Sequence, residues 1–302
     1  MSNRGAARQG RNSRLSFIHL DVFTTKPLEG NQLAVFPEAT RLSTAQMQAL
    51  AREMNFSEST FVLSRSTTRD SKAAVKVRIF TVAEELPFAG HPTLGTAYAL
   101  RKARQREIVL DLKVGRVPVQ FEETNGRVFG EMTQRQPEMG SFHDKAAVAR
   151  ACGLLTEDID PDLPIQTVST GVAFGIVPLR SLKTIENLSF NFAQVASYLE
   201  KTDAKFFYFV CRETRDRKAR LHARMIFYNG EDPATGSAAG CCAAWMVAHG
   251  VAAPDDRVMI EQGVEMKRPS QIFVRAGRDG DRVINVRVGG YVVELARGEM
   301  RL

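Results

Sequence analysis

The chain says nearly the same thing twice. Residues 85–91 read Glu-Leu-Pro-Phe-Ala-Gly-His and residues 231–237 read Glu-Asp-Pro-Ala-Thr-Gly-Ser, so that position 85 matches 231 and 90 matches 236 at one offset of 146. Carried backwards, the offset pairs Arg78 with Arg224, Ile79 with Met225 and Phe80 with Ile226, a strand-like segment before each copy. Carried forwards, it gives two runs of small and apolar residues, 92–100 and 238–246, each of which reads as a buried helix. Solenoid repeats have periods of about 20 to 50 residues, so a repeat this long points to duplication of a whole domain. A chain of 302 residues is long enough for two. A strand, a Pro/Gly loop and a helix start, repeated half a chain apart, predict two similar domains facing one another across a groove.

The net charge of +7 raises the question of nucleic acid, and its distribution argues against that reading. Arg4, Arg8, Arg11 and Arg14 fall in a Gly/Ala/Asn/Ser-rich opening with no large apolar residue after Met1, which reads as a flexible basic tail over 1–14. The opening also lacks the apolar core of a secretory signal. Elsewhere bases and acids are mixed, as in 212–218 and 278–282, the pattern of solvated loops. No apolar run approaches the ~20 residues that a membrane-spanning helix needs. Cys152, Cys211, Cys241 and Cys242 have no metal-ligand spacing and read as small reduced core residues. The expectation is a cytoplasmic protein that binds a small molecule, with no metal, no nucleic acid and no membrane.

Residues 15–24 and 74–81 are β-rich and partly alternating, and 44–54 reads as an amphipathic helix capped by Ser43. Strands are expected near 107–112, 116–121 and 127–133, then a polar stretch from Gln134 to Gly140 that marks a domain boundary. Beyond it come helices near 144–153 and 192–200 and strands near 173–179 and 205–212. Gly289-Gly290, between 283–288 and 291–295, reads as the tight turn of a closing hairpin. The fold class is α+β: two pseudo-symmetric domains, 15–135 and 136–302, each a mostly antiparallel sheet wrapped around one hydrophobic helix. The last strand is free to return to the first domain.

Gly90 and Gly236 sit where loop becomes helix, and the first amides of a helix have no partner within it. Two such ends aimed into one cleft would hold an anion such as a carboxylate. Good capping chemistry alone explains one such motif; two at the same register weaken that explanation. His91 lies in a helix's first turn, where the dipole favours neutral imidazole, although a histidine there serves structure as often as function. Glu231 and Asp232 precede Pro233, and one of them suits an ordinary turn or capping role. Ser237 takes the His91 position in the second copy. Glu58 enters an apolar strand, where partial burial raises a carboxylate towards working pH, as an acid/base group requires; a solvated loop-end Glu is an equal alternative.

The segments Asp21-Val22-Phe23, 30–36, Asn55-Phe56-Ser57-Glu58, Arg78-Ile79-Phe80-Thr81, 85–93 and 230–238 resemble, together and in order, the phenazine-biosynthesis PhzF-like isomerase family. The resemblance runs from about residue 15 to the C-terminus. It implies the diaminopimelate-epimerase-like fold and a homodimer without cofactor. It also implies a reaction that moves a proton along the conjugated system of trans-2,3-dihydro-3-hydroxyanthranilate. On that resemblance Glu58 is the proton-shuttling carboxylate, and His91 and Asp232 hold and polarise the substrate. Asn31, Ser57, Gly90, Thr93, Gly236 and Ser237 fall among the substrate-binding positions, the last with the two glycine loops at the substrate carboxylate. Racemases of this fold use two thiols at the helix-start loops, and those positions fall near Ala89 and Thr235 here, neither of which is a thiol base. An epimerase or lyase reaction in the same cleft, or a non-catalytic binder of small acids, stays open beside the isomerase, since fold does not fix function. Phe88, Phe174, Met225 and Tyr228 are candidate cleft walls, and 263–270 a further segment near the cleft without an assigned role.

Overall fold

The computed structural model describes residues 14–64, 74–227 and 230–302. Their order is β1 (Arg14–Val22), β2 (Asn31–Phe36), α1 (Thr44–Met54), β3 (Glu58–Ser64), β4 (Val75–Phe80), β5 (Glu85–Leu86), α2 (Gly90–Leu100), β6 (Glu107–Leu112), β7 (Gly115–Thr124) and β8 (Arg127–Thr133). Then follow β9 (Glu138–His143), α3 (Lys145–Cys152), β10 (Ile165–Ser169), β11 (Ala173–Leu179), α4 (Leu182–Glu186), α5 (Phe192–Leu199) and β12 (Phe206–Cys211). The chain ends with β13 (Ala219–Phe227), β14 (Gly230–Asp232), α6 (Gly236–Ala248), β15 (Val258–Gln262), β16 (Ser270–Asp279) and β17 (Arg282–Arg301).

The strand pairings repeat as the motifs do. In the first half β1–β2, β3–β4, β4–β5, β6–β7 and β7–β8 are antiparallel, while β2–β3 and β4–β6 are parallel. In the second half β10–β11, β12–β13, β13–β14, β15–β16 and β16–β17 are antiparallel, while β11–β12 and β13–β15 are parallel, the same pattern in the same order. A bidentate ion pair recurs at the offset too. Arg78 grips Glu85 at 2.8 and 2.7 Å, and Arg224 grips Glu231 at 2.9 and 2.7 Å, each tying the loop before a glycine-started helix to the strand it leaves.

β17 belongs to both halves. Its first part pairs with β16, residues 287–291 pair with β8, and its remainder pairs with β1, which closes the circuit β17-β1-β2-β3-β4-β6-β7-β8 into a barrel. β9, which follows β8 in the chain, pairs with β10 within the second half. β17 is thus the strand that crosses from the second half into the first.

The two apolar helices have little polar surface to offer. Residues 90–97 of α2 are all buried, as are Gly236 and residues 238–247 of α6, the mark of a helix enclosed on every side. Small residues allow the approach: a Cβ on Gly95 would lie 2.5 Å from Leu33 of β2 and 2.8 Å from Val22 of β1. The four cysteines are free and buried. No helix among the described residues is long and apolar enough to cross a membrane.

One reading of the sequence is corrected. Gly289-Gly290 is no turn: both residues lie inside the 20-residue strand β17, and the reversal before it comes at Gly280, φ 56°. The glycines are there for proximity. A Cβ on Gly289 would stand 2.5 Å from the carbonyl oxygen of Gly130, and one on Gly290 2.5 Å from the Phe23 ring. At the expected boundary, Gln134 is buried, donates to the Gly236 carbonyl at 2.9 Å and accepts from Thr170 at 2.7 Å. Of the proposed cleft walls, Phe174 and Met225 are buried in the core and Phe88 packs against it, while Tyr228 lies outside the described residues.

The expected outcome for Gly289→Ala follows from that contact, since the obstacle is backbone and cannot swing away. Urea unfolding should show a loss of about 1–3 kcal/mol. An unchanged midpoint would mean that β8 and β17 can part without cost.

Candidate active site

Among the described residues there are six α-helices, and four of them begin with a side-chain cap: Ser43 on α1, Asp144 on α3, Ser181 on α4 and Asn191 on α5. The other two, α2 and α6, have no side-chain cap, although their preceding residues, Ala89 and Thr235, sit at the N-cap. These are the two helices that meet. A Cβ on Gly90 would lie 2.8 Å from the Gly236 Cα and 3.0 Å from the Ser237 nitrogen, so the helix starts touch backbone to backbone. Uncapped amides and two dipole ends thus converge at one point.

The polar side chains around this junction come from both halves. Asn31 opens β2 opposite Val22, held there by Gly30, whose φ of 72° and lack of a Cβ let the chain turn against the Val22 carbonyl. The 263–270 segment supplies the clamp. Arg268 donates to the Gly30 and Glu29 carbonyls at 2.8 and 2.9 Å and to buried Asp21 at 2.6 Å, while Gly30 N–H donates to the Pro269 carbonyl at 3.1 Å. Asn31 Nδ2 in turn faces three acceptors: Asp232 Oδ1 at 2.7 Å, the Ala234 carbonyl at 3.0 Å and His91 Nδ1 at 3.1 Å.

Asp232 is the hub. Besides Asn31, its carboxylate accepts from Thr235 Oγ1 at 2.7 Å and Ser57 Oγ at 3.4 Å. Gln262, fully buried, fixes the turn behind it: its Nε2 donates to the Asp232 carbonyl at 2.7 Å and to Thr235 Oγ1 at 2.9 Å. Its Oε1 accepts from Thr235 N–H at 3.2 Å and from the Tyr208 hydroxyl at 2.9 Å. Burial lifts the Asp232 carboxyl to about 6 despite the hydrogen bonds from Thr235, Asn31 and Ser57, which favour the charged form.

Glu58 stands at the first position of β3, in register with Leu33 of β2. Burial pushes it well above the carboxylate range, and repulsion from Asp232 pushes it further. Its Oε2 is buried without a hydrogen-bond partner. The nearest cation candidate, His91 Nε2, is 3.5 Å away. His91 gives no charge to that pair, because burial drives its pKa down to about 3 in spite of the raising effect of a hydrogen bond to the Gln32 backbone. With Nδ1 accepting from Asn31, the proton of the neutral ring is assigned to Nε2, 3.3 Å from the Gln32 carbonyl.

The structure therefore gathers Glu58, His91, Asp232, Asn31 and Ser57 around Gly90 and Gly236, with Ser237 partly buried in the first turn of α6. Thr93 is fully buried, its hydroxyl donating to the Ala89 carbonyl at 2.7 Å. Glu231 is taken by Arg224. Gln262 and Tyr208 escaped the sequence reading: a Gln next to Gly263 in a strand carries no periodic or motif signal, and only the fold brings it under Asp232. Among the described residues no cluster of His, Cys, Asp and Glu has the arrangement of a metal site.

Comparison with known proteins finds relatives along nearly the whole chain. A family model described as phenazine biosynthesis-like protein matches residues 20–298. The trans-2,3-dihydro-3-hydroxyanthranilate isomerase of Pseudomonas aeruginosa is 35% identical over 288 residues, covering 95% of this chain and 99% of that protein. An uncharacterised isomerase of Mesorhizobium japonicum is 34% identical over 300 residues, covering 94% and 98%. Among solved structures, the PhzF-family phenazine biosynthesis protein of Bacillus anthracis superposes with a TM-score of 0.84 at 29% identity, covering 96% of this chain and all of that one. The chain belongs to the PhzF-like phenazine-biosynthesis family.

Proposed function

We propose that this chain is a cofactor-independent isomerase of a small unsaturated or amino-substituted carboxylic acid, of the trans-2,3-dihydro-3-hydroxyanthranilate type. The observation that carries the reading is Glu58, a buried carboxyl with one oxygen lacking any partner, beside two helix starts that no side chain caps. The substrate carboxylate sits on the free amides near Gly90, Gly236 and Ser237. Glu58, deprotonated, takes a proton from one carbon; the electron pair shifts along the conjugated system; the Glu58 acid returns the proton to the far end. His91, neutral, and Asp232, placed by Asn31, Ser57 and Thr235, hold and polarise the substrate. One carboxylate acting along one face suits a double-bond shift better than stereoinversion, and neither Ala89 nor Thr235 offers a thiol for a two-base racemisation.

The same reading divides the chain at 135/136 into two units of one ancestry, each sheet folded about its own helix, α2 or α6. The repeated pairings and the repeated Arg–Glu grip support it. From the resemblance it also takes a homodimer.

The test is incubation of wild type and Glu58→Gln with trans-2,3-dihydro-3-hydroxyanthranilate in deuterated water, followed by NMR. Wild type should convert the substrate, and the variant should bind it but turn over about 10²–10⁴-fold more slowly. Saturable binding without conversion by wild type would sink the isomerase assignment for this substrate.

A second outcome concerns stability. A carboxyl whose pKa is higher folded than unfolded keeps its proton longer in the native state, so stability is lost as pH rises from the unfolded carboxylate range through the folded value. His91 acts in the opposite sense, since its folded pKa of about 3 means the native state gains stability as pH rises towards the free histidine value. Comparison with Glu58→Gln isolates the carboxyl. The variant's advantage in urea midpoint should grow from pH 4.5 to pH 8, whereas an equal difference at both pH values would show that Glu58 is not held protonated by its surroundings.

A further inference from the structure

A cleft of about 760 Å³ opens away from the Asp232 junction, between the β7–β8 turn, the start of β13 and the β15–β16 face. Its charge is one-sided: Arg127, Arg212, Arg217, Lys218, Arg220 and Arg257 line it, against the single acid Asp256. Three of the cations have acidic neighbours. Arg212 reaches Asp160 at 2.9 Å, Arg220 approaches Asp256 at 3.9 Å, and Arg257 lies 3.3 and 3.4 Å from Glu122 and Glu131. Glu131 is itself shared with Arg275 and Arg287, so it leaves positive charge in excess. Among the described residues, Arg127, Arg217 and Lys218 have no acidic partner. The inner wall is aromatic: Phe273 and Tyr291 border the cleft, packed edge-on against Phe129, whose face Arg257 covers at 4.7 Å.

We propose that this cleft binds a small anion carrying two or more phosphate groups. Like charges held in a concave, low-dielectric wall focus their field inward, and guanidinium forks match phosphate oxygens two at a time. Three unneutralised cations at one mouth cost stability through mutual repulsion, a cost that a polyanion relieves. A concave site of this size fits a compact ligand, whereas nucleic acid asks for a stripe or face of basic charge along its backbone. The cleft shares no residue with the Glu58 site, so this binding stands or falls apart from the proposed reaction. The two are nevertheless neighbours through Phe23. Its backbone bonds to Tyr291 and Gln271 of the cleft at 2.9 and 2.7 Å, and its ring lies against Gly236.

The experiment is calorimetric titration of the full chain with inorganic triphosphate, orthophosphate and a short DNA duplex. It is repeated with Arg127→Gln/Arg217→Ser/Lys218→Ser, whose exposed side chains take part in no ion pair. Saturable binding of one triphosphate per chain is expected. It should weaken at least about tenfold in the triple variant and also at raised salt, where screening shortens the reach of exposed charges. Orthophosphate should bind more weakly. A thermal midpoint of the variant that is no lower than wild type shows that the loss is local. No saturable binding of triphosphate, binding undiminished in the variant, or binding of the duplex alone would each overturn the proposal, the last in favour of a nucleic-acid surface.

Discussion

Two backbones meet at Gly90 and Gly236 with no room for a side chain between them, and most of the architecture serves that contact. Phe23 takes a left-handed φ of 66°, uncommon for a bulky residue, and lays its ring against Gly236 and Gly290. Gly289 and Gly290 let β17 press against β8 and Phe23 while it crosses from one half to the other. Gln134 and Arg268 tie segments of the two halves across the junction. Each of these devices loses its purpose if the helix starts are moved apart. The crossing of β17 opposes such movement, because separating the halves would strip backbone hydrogen bonds from its pairings with β1 and β8.

The parts of the fold legible in the sequence are those carried by short-range signals. Ser43 and Gln46 form the reciprocal cap of α1 because hydroxyl and amide lie three residues apart, a distance a sequence displays directly. The repeat was legible because loop, helix start and Arg–Glu grip each recur at one spacing. Gly289-Gly290 misled for a physical reason: glycine marks a turn and a close approach alike, and the sequence alone does not tell which. Thr170 and Gly236, the buried partners of Gln134, leave no local signal and come to it only through the fold.

The candidate site divides along the same line. Glu58, His91 and Asp232 stood out as chemistry-bearing residues near Pro/Gly loops or an apolar strand. The neutral His91 and the raised Glu58 were legible in direction, whereas the lift of Asp232 to about 6 was not, because it depends on burial and on partners as distant in sequence as Asn31. His222 shows how far this reaches. Burial alone would lower its pKa, but Glu261 and Glu265, at 2.8 and 3.0 Å, outweigh burial and push it up to about 9. His91, buried as deeply and given only amide and carbonyl partners, falls to about 3. Two histidines with the same intrinsic chemistry end in opposite states, and nothing local to either one decides it.

That contrast explains why the site can leave the proton to Glu58. Were His91 charged, it would form a true ion pair with Glu58 and stabilise the carboxylate, drawing its pKa down and making it a poor proton donor on the return step. Burial prevents this, outweighing the raising effect of the Gln32 carbonyl that accepts from Nε2–H, while Asn31 donates to the unprotonated Nδ1. Asp232, lifted to about 6 yet held by Asn31, Thr235 and Ser57, supplies the negative field that raises Glu58 further. Asn31 thus bears on both neighbours at once. It fits the tautomer of the neutral histidine and places the aspartate, and Glu58 beside them keeps a buried oxygen with no hydrogen-bond partner among the described residues.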